Sequence, residues 1–106
     1  MKVSIIIPLR NEELVIKKII DQLENNLENI PYEIVFINDF CTDNTVKVLE
    51  KIIGQKVQFK IYNNKRKGLG GAITEGINRS TGDSICIMMS DLSDNIEDFK
   101  KYYKII

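Results

Sequence analysis

With 106 residues, 43% hydrophobic and 28% charged, the chain has room for one domain with a modest core, which argues against both disorder and a membrane span. The 15 Lys and Arg residues balance 15 Asp and Glu, so the basic excess of a nucleic-acid binder is missing. Histidine is absent, which removes Ser-His-Asp and Cys-His catalysis and imidazole zinc sites, and leaves oxygen ligands that suit Mg²⁺ or Mn²⁺.

The opening apolar run is too short for a signal-peptide core, because Pro8, Arg10, Asn11 and Glu12 follow at once. No later stretch has the length to span a bilayer. A cytoplasmic location is expected, with membrane contact only at the periphery, through a partner or a further segment. Cys41 and Cys86 have no metal-like spacing and read as two reduced, partly buried thiols.

The β-branched run over 3–7, closed by Pro8, predicts a strand buried on both faces. Asn11 can cap the next helix, and Glu12 and Glu13 suit its positive end. Leu14, Val15, Ile19, Ile20, Leu23 and Leu27 then share one helical face, and Pro31 ends the connection. A second buried strand is expected over 33–38, on Ile34, Val35, Phe36 and Ile37. Thr42, Asp43 and Thr45 mark a second helix start; Val46, Leu49, Ile52 and Ile53 form its apolar face, and Gly54 its stop. Residues 57–62 alternate, predicting a strand with one exposed face at a sheet edge. Residues 63–71 are polar, basic and glycine-rich, hence a loop. A helix over 72–79 follows, with Ile73 and Ile77 inward, then a turn at 81–83. A buried strand over 85–89 and a last helix over about 96–103 complete the pattern.

Strands alternating with helices predict an α/β class: a Rossmann-like parallel sheet, right-handed crossovers, helices on both faces, one domain over 1–106. The expected strand order is 3-2-1-4. Its topological switch point lies between the first and fourth strands, where ligands bind outside the carboxyl ends. Those ends carry Arg10-Asn11-Glu12 and Ser90-Asp91-Leu92-Ser93-Asp94, and the second strand carries Asn38-Asp39-Phe40-Cys41-Thr42-Asp43.

Singly, these segments have ordinary readings. Asn11 and Glu12 serve as a helix cap, Asp39 and Asp43 as turn residues, Gly68, Gly70 and Gly71 as a flexible turn, and Asp91 and Asp94 as a solvated loop. Together, in this order, they resemble the N-terminal half of family 2 glycosyltransferases of the GT-A fold, over residues 3–98. Pro8, Asn11 and Glu12 match the family's Pro-x-x-Asn-Glu turn, with Arg10 where Tyr is common. Asp39, Thr42, Asp43 and Thr45 match its Asp-Asp-Gly-Ser-Thr-Asp-Gly-Thr segment, while Asn38, Phe40, Cys41 and Asn44 depart from it. Met89-Ser90-Asp91 stands where the family has Asp-x-Asp; Met89 replaces the first carboxylate and offers only a thioether, a poor ligand for a hard cation.

The resemblance implies transfer of a sugar from a UDP or GDP donor, with inversion. It implies that Asp39 faces the base, whose ring N–H a carboxylate can accept. It implies that Glu12 lies against the nucleotide and that Arg66, Lys67 and Gly68 support the diphosphate. The nucleotide-sugar set is then Pro8, Arg10, Asn11, Glu12, Asp39, Arg66, Lys67, Gly68, Ser90 and Asp91. Asp91, helped by Ser93 and Asp94, would hold Mg²⁺ or Mn²⁺. The Met-x-Asp-x-Ser-Asp variant resembles the branch of dolichyl- and polyprenyl-phosphate sugar synthases, which implies a lipid phosphate acceptor. Because family catalytic domains continue past the Asp-x-Asp segment, the chain is expected to be a nucleotide-sugar-binding half without useful turnover alone. Its fourth strand is expected to be an exposed edge prone to self-association. Two alternatives stay open: a nucleotidyltransferase of similar architecture and a non-catalytic nucleotide-sugar-binding module.

Overall fold

The computed structural model describes residues 2–27, 29–54 and 56–88. In chain order these form β1 (Val3–Leu9), α1 (Ile16–Leu27), β2 (Tyr32–Asn38), α2 (Thr45–Ile53), β3 (Phe59–Asn63), α3 (Leu69–Arg79) and β4 (Ser84–Ile87). The sheet order is β3-β2-β1-β4, and each neighbouring pair is parallel. This is the expected doubly wound arrangement, with β1 and β4 meeting at the switch point. The helix expected over 96–103, and the end of the fourth strand at Met89, lie outside the described residues.

Alternation along β1 divides the core. Val3, Ile5, Ile7 and Leu9 pack with α1 and α2, through Ile16, Ile20, Leu23 and Leu49. Ile6 faces the other way and packs with Val35, Ile37 and Ala72. Burial on both faces is what a continuous β-branched run provides, and it keeps polar side chains out of the middle of the sheet. Gly76 lets α3 approach: a Cβ there would sit 2.3 Å from Ile6 Cγ2.

The structure corrects five details of the sequence reading. Leu14 and Val15 are 96% and 40% exposed; they precede α1, and Ile16 takes the inward place at its start. The third helix begins at Leu69 rather than at residue 72, and its buried face is Ala72, Glu75 and Gly76. Ile77 is turned out, at 44% exposed. Val57 lies outside β3 and is solvent-facing. β4 alternates instead of being buried throughout, with Ile85 and Ile87 exposed.

At the amino ends of the strands lies a buried carboxylate. Glu33 of β2, 1% exposed, accepts from Lys60 Nζ at 2.7 Å, Thr81 N at 2.6 Å, Thr81 Oγ1 at 3.0 Å and the Ser4 hydroxyl. It thereby ties β3, β1 and the α3–β4 turn together. Burial pushes this carboxyl up, but the bonds from Lys60, Ser4 and Thr81 outweigh it and hold the pKa at about 2, below the ordinary 4.5. The folded pKa is depressed, so the stabilisation is complete above the unfolded value and is lost as pH falls through 4.5 toward 2. In urea unfolding, Glu33→Gln is therefore expected to lower stability by roughly 2–3 kcal/mol at neutral pH. The gap to the parent should narrow below about pH 4.5; parallel stability curves down to pH 2.5 would assign Glu33 no ionic role.

Candidate functional site

The carboxyl ends of β1 and β2 are closed by two loops that hold each other. Asn11 adopts φ 58°, a left-handed conformation that Asn tolerates better than most residues. Its Oδ1 accepts from Thr42 N at 2.8 Å and Asp43 N at 3.2 Å, so Asn11 caps the neighbouring loop and not its own helix. Glu12 N donates to Thr45 Oγ1 at 2.7 Å, and Glu13 N to Asp43 Oδ2 at 3.3 Å. Asp43 also accepts from Thr45 N at 3.0 Å. Burial pushes the Asp43 carboxyl up, but the hydroxyl and amide of Thr45 and the amide of Glu13 hold it below the usual range. Cys41 Sγ accepts from Asn11 N at 3.4 Å and donates to Leu9 O at 3.3 Å. Both cysteines are free thiols and half-buried.

Phe40 stands where the family pattern has Gly, and it adopts φ 58°. The turn thus keeps a left-handed residue even with a bulky side chain, which costs about 1–2 kcal/mol relative to Gly.

Pro8 is buried inside β1, so it offers no loop surface to a ligand. The β1–β4 register runs only to Ile6↔Ile87, followed by Met88 N donating to Ile6 O at 2.9 Å. Alternate residues of a strand between two neighbours hydrogen-bond to opposite sides. The next donor on the β4 side of β1 would belong to residue 8, and proline has none. Pro8 ends the described ladder there, at the switch point.

The third component is the basic loop after β3. Asp39 is 4% exposed, and its Oδ1 accepts from Gly68 N at 3.0 Å and Asn64 Nδ2 at 2.9 Å. Both bonds fall on Oδ1, and no buried side-chain oxygen among the described residues lacks a partner. Oδ2 is therefore the oxygen of Asp39 that reaches the surface. Gly68 adopts φ 115°, which requires glycine, and its carbonyl accepts the Ala72 N–H at 3.0 Å to begin α3. Gly71 sits under the loop, where a Cβ would come 2.2 Å from Arg66 O. Lys65, Arg66 and Lys67 are exposed, and no ion pair involves them among the described residues. With Thr74 and Asn78 of α3 they line a cleft of about 730 Å³.

The structure thus brings Asp39 and Gly68 into contact, with Arg66 and Lys67 on the same loop. Arg10, Asn11 and Glu12 belong to the neighbouring β1 loop, where Asn11 is committed to holding Thr42 and Asp43. Ser90, Asp91, Ser93 and Asp94 lie outside the described residues. Among the described residues no cluster of carboxylates or thiols could hold a metal. Asn64 was missed by the sequence reading. Its only signal was an Asn directly before a basic glycine loop, a common turn composition.

A parallel 3-2-1-4 sheet flanked by helices, with polar loops at its carboxyl ends, matches the Rossmann-like part of GT-A folds. The chain belongs to glycosyl transferase family 2, whose model matches residues 4–106. It is 31% identical to the dolichol-phosphate mannosyltransferase of Pyrococcus furiosus, over 100% of this chain and 30% of that protein. It shares the fold of a Pyrobaculum calidifontis mannosyltransferase in complex with GDP-Man and Mn²⁺, with a TM-score of 0.82 at 20% identity, over 96% of this chain and 31% of the other. It shares the fold of S. aureus TarS in complex with UDP as well, with a TM-score of 0.76 at 23% identity, over 99% of this chain and 32% of that one. The chain spans about a third of the length of each.

Asn11 carries a stability expectation. Asn11→Ala strips two backbone N–H groups of their acceptor and puts Ala in a left-handed conformation. The chain should lose about 1–3 kcal/mol in urea unfolding. A loss below about 0.5 kcal/mol would mean that the two loops do not depend on Asn11.

Proposed function

We propose that this chain binds a nucleoside diphosphate sugar across the carboxyl ends of β1 and β2. It serves as the donor-binding part of a transferase that passes the sugar, with inversion, to a polyprenyl or dolichyl phosphate. The observation that carries the reading is the surface-reaching oxygen of Asp39, held by the loop that presents Lys65, Arg66 and Lys67, none of them in an ion pair among the described residues. Family membership and the dolichol-phosphate relative support it, as do related folds in complex with GDP-Man or UDP.

In this reading Asp39 Oδ2 accepts the imino N–H of uracil or guanine. Arg10 and Glu12 border the nucleotide from the β1 loop. Arg66 and Lys67 offset the diphosphate charge. The first backbone N–H groups of α3, which no side chain caps among the described residues, point the same positive pole at it. Pro8 contributes by ending the β1–β4 ladder and Asn11 by fixing the neighbouring loop, and neither needs to touch the donor. Ser90 and Asp91, which follow the fourth strand in the sequence, are assigned to the same site by the family resemblance.

The donor set of Asp91, Ser93 and Asp94 is oxygen only, which fits Mg²⁺ or Mn²⁺. Such an ion, when bound, would offset the charge of the departing diphosphate. With Met89 in place of a carboxylate, substrate oxygens must supply more of its coordination. A lipid phosphate acceptor is already largely ionised, so it would need less help from a general base than a hydroxyl acceptor.

Two titrations test this. UDP and GDP are titrated into the chain by calorimetry, with and without Mn²⁺. Asp39→Asn keeps an acceptor for Gly68 but turns a donor toward the base, so it should weaken the bound nucleotide by roughly 1–3 kcal/mol; unchanged affinity would remove Asp39 from base recognition. Asp91→Asn should abolish the gain from Mn²⁺ while leaving metal-free binding intact. A mutant that still responds fully to Mn²⁺ would move the metal elsewhere.

A further inference from the structure

Asn64 follows β3, is 6% exposed and belongs to none of the motifs that mark the site. Its backbone N–H donates to Asn38 O at 2.9 Å, which fixes it to the end of β2. Its side chain turns inward to Asp39. The amide orientation follows from chemistry: Asp39 Oδ1, Arg66 O and Gly68 O surround one end, and all three can only accept. The NH₂ group must lie there. Asn64 Oδ1 faces the remaining donor, Arg66 N, at 3.3 Å.

The consequence is a shared junction. Asp39 Oδ1 takes both the Asn64 amide and the Gly68 N–H, which fixes the plane of the carboxylate and the direction of Oδ2. The same Asn64 amide holds the carbonyls of Arg66 and Gly68, which fixes the loop carrying Lys65, Arg66 and Lys67. Among the described residues, without Asn64 one bond, donated by Gly68 N, would remain between the carboxylate and the loop.

We propose that Asn64 is a positioning residue for donor binding, locking the base-facing carboxylate of Asp39 and the cationic 65–68 loop into one geometry. The proposal rests on the nucleotide-sugar reading above. Asn64 touches neither base nor phosphate; it prepares both contacts, so the ordering cost of the loop is met on folding rather than on binding. A nucleoside uses only the carboxylate, whereas a nucleoside diphosphate uses the carboxylate and the loop together.

The experiment compares uridine with UDP, and guanosine with GDP, on the parent chain, Asn64→Ala and Asn64→Asp. Asn64→Ala should weaken the diphosphate by about tenfold or more and the nucleoside by less than about threefold. Asn64→Asp replaces the donor facing Asp39 Oδ1 with a carboxylate, so it should weaken the diphosphate at least as much as Asn64→Ala does. In the free proteins, exchange of the Gly68 amide should speed up in Asn64→Ala while that of the Ile34 amide in β2 is unchanged, which shows an intact fold. Equal losses for nucleoside and diphosphate, or Asn64→Ala binding diphosphate as the parent does, would overturn the positioning role alone. A parent chain that binds none of the four ligands would overturn the donor-binding reading and the positioning role with it.

Discussion

A sheet covered on both faces leaves room for polar chemistry only at its two ends, and everything specific to this chain follows from that constraint. β1 is buried along its whole length, and β2 is buried except at its two terminal residues. A charged side chain in their middle would be desolvated without partners, at a cost of several kcal/mol. The two buried carboxylates of this region accordingly sit at opposite ends of one strand: Glu33 near the start of β2, Asp39 just past its end. They are treated differently. Glu33 is satisfied at both oxygens by lysine, hydroxyl and amide donors, and reads as a structural tie. Asp39 is satisfied at one oxygen only. Both oxygens of Glu33 are used within the fold, whereas one oxygen of Asp39 stays at the surface, where the proposed reading gives it a ligand donor.

Much of this was legible in the sequence, because the signals were backbone signals. Runs such as Ile5-Ile6-Ile7 and Ile34-Val35-Phe36-Ile37 suit little other than a doubly covered strand. Their alternation with amphipathic segments then points to a parallel sheet. What was not legible depended on tertiary distances. Leu14 and Val15 fit the helical face as well as Ile16 does on a wheel, but the turn built by Glu12 and Thr45 delays the helix until Ile16. Ile77 looked inward because it is apolar, yet the close approach of α3 to Ile6 needs the absent side chain of Gly76. Glycine is the better contact residue there, and hydropathy assigns it no weight.

The candidate site was legible to a different depth. The positions of Asp39 and the basic loop followed from strand ends, which the periodicity supplies. The roles of Asn11 and Asn64 did not. Both are asparagines in polar turns, a composition that in most chains signifies only local turn chemistry. Here each reaches across about 25–30 residues of sequence to hold a loop from another strand. Pattern reading sees spacing along the chain, and these bonds are made across it.

The departures from the family pattern also become intelligible at this level. Asn38 Oδ1 accepts from Cys41 N at 2.9 Å, an acceptor role that an Asp would fill equally well, while its amide donates to Asn63 Oδ1 at 3.0 Å across the β2–β3 register. An aspartate at position 38 would have no proton to offer Asn63. Cys41 keeps a donor and an acceptor for Leu9 and Asn11, as a hydroxyl would, only more weakly. The loops are thus held by the same kinds of bonds made from different atoms. On the proposed reading, a donor site assembled from three separate loops works only if their relative placement is fixed to a fraction of an ångström. That requirement would account for side chains spent on neighbouring backbone rather than on ligand. It also explains why Phe40 is tolerated in a left-handed turn: the bonds on either side, from Asp39 N to Leu9 O and from Cys41 N to Asn38 Oδ1, determine the backbone there more strongly than the preference of its own side chain.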